Sequence, residues 1–206
     1  TFELDASVDY EPGPEQNIAA RAKALGRDPF DLALELMLAD GGNALLLHPF
    51  ENYCTGDLEV VKEMLEDPNT VCGVADAGAH VGLICDASSP TSLLTHWARD
   101  RKRGDKMPLE FLVRKQTLDT ARVYGLMDRG VIAPGYKADL NLIDFQALRL
   151  HRPKLVYDLP AGGRRIIQKA EGYRHTFVSG VEVMRDGVAT GELPGQLLRG
   201  SQSAPN

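Results

Sequence analysis

Asp76 follows directly on the apolar run Thr70 to Ala75 and is itself followed by Ala77-Gly78-Ala79-His80. A carboxylate at the end of a strand, in a loop of small residues, is placed to take a proton from a water or hand one to a leaving group. In a parallel α/β barrel the carboxyl ends of the strands form the active-site face, so an acid in this position points into the site. Gly73 and Gly78 allow the adjoining backbone to approach a ligand closely or to adopt positive φ. On local geometry alone the same aspartate can instead begin an Asx-turn that satisfies loop amides, and that plainer role stays open.

Two histidines belong to the same constellation. His80 lies in the loop after Asp76, and His48 closes the earlier apolar run Ala44-Leu45-Leu46-Leu47. Each could bind substrate, and each could equally be an ordinary hydrogen-bonding side chain. His96, His151 and His175 are remote in sequence and are expected to be structural. The chain contains no His-x-His pair. A catalytic zinc needs about three protein ligands with one position left open, which a single carboxylate cannot supply.

Positioning these residues requires a folded core, and the composition provides for one. Among 206 residues 43% are hydrophobic, within the range of soluble globular chains. A net charge of −6 speaks against a nucleic-acid partner, because binding phosphates needs a positive field. The basic run Arg99-Asp100-Arg101-Lys102-Arg103 is read as a solvated helix end. Three cysteines without CxxC spacing suggest neither a disulfide framework nor a zinc knuckle. The sequence lacks an apolar run long enough for a membrane span, and a cytoplasmic location is expected. Because the chain opens on Thr1 and not Met, it is expected to be a portion of a longer protein.

The elements follow from caps and periodicity. A helix is expected from Pro14-Glu15 to Leu25, with Ile18, Ala22 and Leu25 on one face and Gly26 as its stop. A second helix starts at Asp28-Pro29, carries the stripe Phe30, Ala33, Leu34, Met37 and Leu38, and ends at Gly41-Gly42. The run Ala44 to His48, a helix after Asp57 and the run Thr70 to Ala75 outline a parallel βαβ unit. Pro90 and Pro108 open further helices. From Gly125 onward short alternating segments, with turns at Ser179-Gly180 and Asp186-Gly187, indicate a small all-β unit.

One downstream motif joins these parts. Gly130-x-Ile132-x-x-Gly135-x-x-Ala138-Asp139-Leu140, together with Asp76, Leu46-Leu47-His48 and Asp67-Pro68-Asn69-Thr70-Val71, resembles the closing segment of an amidohydrolase-superfamily enzyme, and more closely its D-aminoacylase (N-acyl-D-amino-acid deacylase) branch. The resemblance implies an α/β fold. Residues 1–127 would be the last part of a TIM-like (β/α)8 metal-dependent hydrolase barrel, two strands with helices, and residues 128–206 a small β-sandwich domain. It implies Asp76 as general base for a zinc-bound water and as a metal contact, with a small-molecule amide as substrate. Zn2+ is expected in the complete enzyme and not on this chain alone, which is expected to be inactive until joined by the missing N-terminal barrel segment or another copy of the chain. The His-Pro-Arg element that follows the aspartate in D-aminoacylases is replaced here by Val81-Gly82-Leu83, which leaves the substrate open. Two alternatives stand beside this reading: a non-catalytic interaction or assembly module, and a cyclic amidohydrolase of the hydantoinase or dihydroorotase kind.

Overall fold

The structure is a computed structural model that describes residues 1–73, 78 and 80–205. In chain order its elements are β1 (Phe2–Leu4), α1 (Ile18–Leu25), α2 (Pro29–Gly42), β2 (Leu45–Leu47), α3 (Glu59–Glu66), α4 (Ser89–Ser92), α5 (Leu109–Arg114) and α6 (Thr120–Val123). Then follow β3 (Leu140–Ile143), β4 (Arg149–Leu150), β5 (Lys154–Leu159), β6 (Gly163–Ile167), β7 (Ala170–Glu171), β8 (Tyr173–Val178), β9 (Val181–Arg185) and β10 (Val188–Ala189). The chain forms two compact units: Thr1–Thr70 with His151–Lys169 and the described part of Asp76–Ala87, and a second built mainly from Ser88–Leu150 and Ala170–Asn206. The sequence boundary near Met127-Asp128 falls inside the second unit.

In the first unit the helix ends are written in the sequence. The Asn17 carboxamide accepts the Ala19 amide, and Gly26 closes α1 in the left-handed region. Asp28 accepts the amides of Phe30 and Asp31, Pro29 occupies the first turn, and α2 breaks where Asp40 and Gly41 turn left-handed. A core forms from Ile18, Ala22 and Leu32, with Ala33, Leu36 and Leu46 against it. Of the expected stripe Phe30, Ala33, Leu34, Met37 and Leu38, Ala33 packs against that core, whereas Phe30 is 82% and Leu38 64% exposed, and Leu32 is the residue that α2 buries. A helix with apolar residues all round can bury only one side against the partners present.

The parallel βαβ unit is also corrected. Strand β2 pairs antiparallel with β1, Leu47 opposite Phe2 and Leu45 opposite Leu4, and residues 70–73 are not in a strand. Thr70 is occupied in closing α3, its hydroxyl donating to the Asp67 carbonyl at 3.1 Å and its amide to the same oxygen at 3.3 Å. Strands β5 and β6 form an antiparallel hairpin, Leu155 opposite Ile166.

In the second unit α4 runs into a π-helical stretch Leu93–Asp100, and α5 continues through a π-helical stretch Lys115–Asp119 into α6. Leu94, Trp97, Met107, Leu112 and Leu148 are buried. The sheet has the order β10-β9-β8-β3 and is antiparallel throughout. Its turns are the expected ones: Ser179 and Gly180, then Asp186 and Gly187, all take positive φ, the geometry of two-residue hairpins. The basic run is not a solvated helix end. Arg101 is 3% exposed, stacks over Trp97 at 4.6 Å and donates to the Asp105 carbonyl. Arg99 reaches the carbonyls of Phe145 and Leu148 and so fixes the chain leaving β3. These are main-chain acceptors that a guanidinium with several donors can satisfy together.

Gly172 makes the closest packing contact of this unit that a single methyl group tests. Its φ is +101°, and a Cβ there would lie 2.6 Å from the Leu148 Cα, which is backbone and cannot swing away. Gly172→Ala is expected to lower stability by about 2–4 kcal/mol, from left-handed strain plus overpacking. The urea midpoint checks this, and an unchanged midpoint would mean that the β3–β8 edge relaxes freely.

Candidate functional site

The first unit contains a cleft of about 530 Å3 whose lining includes Leu4, Tyr10, β2, His48, Glu51, Leu83–Asp86 and Ile166. Three stretches far apart in sequence meet there. Strand β2 delivers His48 at its end, where Nδ1 lies 2.9 Å from the Thr1 hydroxyl and the ring stands edge-on to Phe50 at 5.1 Å. The segment after His80 is tied to β6 by the Ile166 amide, which donates to the Val81 carbonyl at 2.7 Å. Locally, the amides of Leu83 and Ile84 both donate to the His80 carbonyl, and His80 itself takes a φ of +48°.

Of the site residues expected from the sequence, His48 lines the cleft. His80 is exposed in the loop and is not among the lining residues. Asp76 lies outside the described residues. Among those described, no group of three or more His, Cys, Asp or Glu side chains comes together in a way that could hold a metal ion. The described donors therefore do not by themselves fit a catalytic zinc. Of the histidines set aside as structural, His96 stands edge-on to Trp97 at 5.2 Å, and His175 meets Glu182 at 2.5 Å across β8 and β9. The Glu182 carboxyl is held down to about 2, chiefly by Arg185 and then by His175.

Sequence reasoning missed Tyr10 and Glu11. Glu11 is 2% exposed, and its carboxylate accepts the Leu58 amide at 2.9 Å, capping the start of α3 from 47 residues away. No local pattern announces so distant a cap. Tyr10 lines the cleft, and its hydroxyl accepts from the Gln168 carboxamide at 2.8 Å. Burial, reinforced at alkaline pH by the Cys85 thiolate and by the Asp86 carboxylate, raises the Tyr10 phenol to about 12. Burial, then the charge of Asp86, also raises the Cys85 thiol, which keeps it protonated and unreactive as a nucleophile at neutral pH.

The amidohydrolase family matches residues 4–184, most of the chain and both sides of the cleft. The chain belongs to the amidohydrolase family. Among curated relatives it is 33% identical over 92 residues to the adenine deaminase of Sinorhizobium fredii (strain NBRC 101917 / NGR234), covering 42% of this chain and 15% of that one. It is 34% identical over 116 residues to the N-acyl-D-aspartate deacylase of Alcaligenes xylosoxydans xylosoxydans, covering 56% and 21%. Over 148 residues it is 31% identical to the imidazolonepropionase of Paracoccus denitrificans (strain Pd 1222), covering 68% and 34%. The chain thus spans between 15% and 34% of the length of these relatives. No solved structure matches it significantly. Amidohydrolase-family membership carries the TIM-barrel superfamily and its general dependence on metal. Among the described residues no helix is long and apolar enough to cross a membrane.

The raised phenol of Tyr10 gives a signed pH dependence. Its folded value lies above the ordinary 10, so its contribution is complete below pH 10 and is lost as pH rises towards about 12. Wild type is expected to lose stability over that window relative to Tyr10→Phe, which cannot ionise. Parallel denaturation curves for the two at every pH would show that Tyr10 is not desolvated.

Proposed function

We propose that this chain forms the closing part of a TIM-like metal-dependent hydrolase barrel with a small β-sandwich domain after it, the two meeting near Met127-Asp128. The whole protein, in this reading, hydrolyses a non-peptide C–N bond, that of an N-acyl-D-amino acid or a related amide. The observation that carries it is the family match over residues 4–184, which spans Asp76, His80 and His48 alike. Similarity to an N-acyl-D-aspartate deacylase supports the amide substrate.

Asp76 accepts a proton from the attacking water as oxygen adds to the acyl carbonyl, then passes it to the departing amine as the C–N bond breaks. A carboxylic acid and an amine result, and the aspartate returns to its starting state. His48 and His80 bind the substrate. Ligands for a metal centre come mainly from parts of the whole protein other than the described residues. The exposed stripe of α2, Phe30 with Leu34, Met37 and Leu38, is the face against which the missing barrel segment or a second copy packs. A second reading, hydrolysis of a C–N bond within a ring, is favoured by the similarity to imidazolonepropionase, which covers 68% of the chain.

The test is Asp76→Asn in the whole protein. The amide cannot accept the water's proton, so kcat is expected to fall by about 10²–10⁴-fold with the circular dichroism spectrum unchanged. Near-wild-type kcat would assign Asp76 to the loop's structure instead.

A further inference from the structure

Arg164 stands out in the hairpin that walls the cleft. It occupies β6 two residues before Ile166, and residues so spaced on a strand share a face. Ile166 lines the cleft. The hydrogen bond that the Ile166 amide donates to the Val81 carbonyl lays this strand along the segment that follows His80, and the Arg164 Nε lies 3.8 Å from where a Cβ on Gly82 would sit. The Arg164 side chain thus lies beside Gly82, within ordinary contact distance.

The charge at this point has no counter-ion among the described residues. Other arginines in the sheets are met by carboxylates: Arg165, next in sequence, by Asp158 at 2.7 Å through two nitrogens, Arg149 by Glu171, and Arg174 by Asp144. No ion pair or hydrogen bond among the described residues engages Arg164. A planar guanidinium at the edge of a cleft is suited to bidentate capture of a carboxylate.

We propose that Arg164 is a substrate-binding residue that takes the carboxylate of an N-acyl amino acid at the Gly82 end of the cleft, an inference that rests on the hydrolase reading above. Glu51 and Asp86 also line the cleft and repel an anion seated among them. The carboxylate therefore sits outside that lining, at Arg164, while the rest of the ligand lies against Leu4, Leu83 and Ile166. The same two acids disfavour a second negative charge on the ligand, so the preferred amino acid has an uncharged, apolar side chain.

The experiment compares N-acetyl-D-leucine with N-acetyl-D-leucinamide, which lacks the carboxylate, on the whole protein and on its Arg164→Ala and Arg164→Lys variants. In turnover, Arg164→Ala is expected to lose at least about ten-fold more kcat/KM on the acid than on the amide, mostly through KM, with partial recovery in Arg164→Lys. Equal losses on both compounds overturn the assignment. Calorimetric binding of the same compounds reads Arg164 independently of chemistry: wild type should prefer the acid and Arg164→Ala should not. A preference that persists in the variant, or wild-type binding without one, contradicts the proposal. Absent turnover with an Arg164-dependent preference contradicts only the hydrolase reading.

Discussion

The hydrogen bond from the Ile166 amide to the Val81 carbonyl, at 2.7 Å, is the contact on which the candidate cleft depends. It joins the segment after His80 to a hairpin some eighty residues further along the chain. Without it the lining from Leu83 to Asp86 has no fixed relation to Ile166, and Arg164 has none to Gly82. The opposite wall is set by the antiparallel ladder between β1 and β2, which places His48 at a strand end beside Thr1. A site assembled this way gains precision from backbone pairing, whose geometry is less variable than that of side-chain contacts.

Charged side chains here do much of the joining that a larger core would otherwise do. Glu11 caps α3 from the chain's first segment, Arg99 holds the carbonyls beyond β3, and Arg101 lies buried against Trp97. Each spends its charge on main-chain dipoles or an aromatic face, which makes burial tolerable. That use separates them from Arg164, whose guanidinium has no such acceptor among the described residues. The stripe of α2, with Phe30, Leu34, Met37 and Leu38, likewise leaves apolar surface exposed on this chain.

Much of the local architecture was legible in the sequence. Asp28-Pro29 and Gly26 mark helix ends because their conformations and side chains suit few other places, and Ser179-Gly180 and Asp186-Gly187 mark hairpins for the same reason. What was illegible was long-range. The apolar run Leu45–Leu47 is equally suited to a parallel or an antiparallel neighbour, and its partner, Phe2–Leu4, lies in a stretch with no turn signal of its own. The periodicity of α2 marks the helix and places Ala33 on the core but not Leu32, since Phe30 and Leu32 are both apolar and only the neighbours decide which is covered. Strand β5 carries Lys154 and Asp158 on a run that follows Pro153, so the hairpin it forms with β6 is not separable in sequence from the other short segments after Gly125. Asp76, singled out by its place after an apolar run, lies outside the described residues. Tyr10 was not found, for its environment comes from Gln168, Cys85 and Asp86, all distant in sequence.

If Asp76 moves the proton in hydrolysis of a C–N bond, it must do so as a carboxylate, and the acid limb of the kcat/KM profile of the whole protein reads that ionisation. Wild-type kcat/KM is expected to fall in proportion to proton concentration below the pKa of one carboxylate, and the residual activity of Asp76→Asn is expected to lack that limb. The same acid limb in both proteins would contradict it.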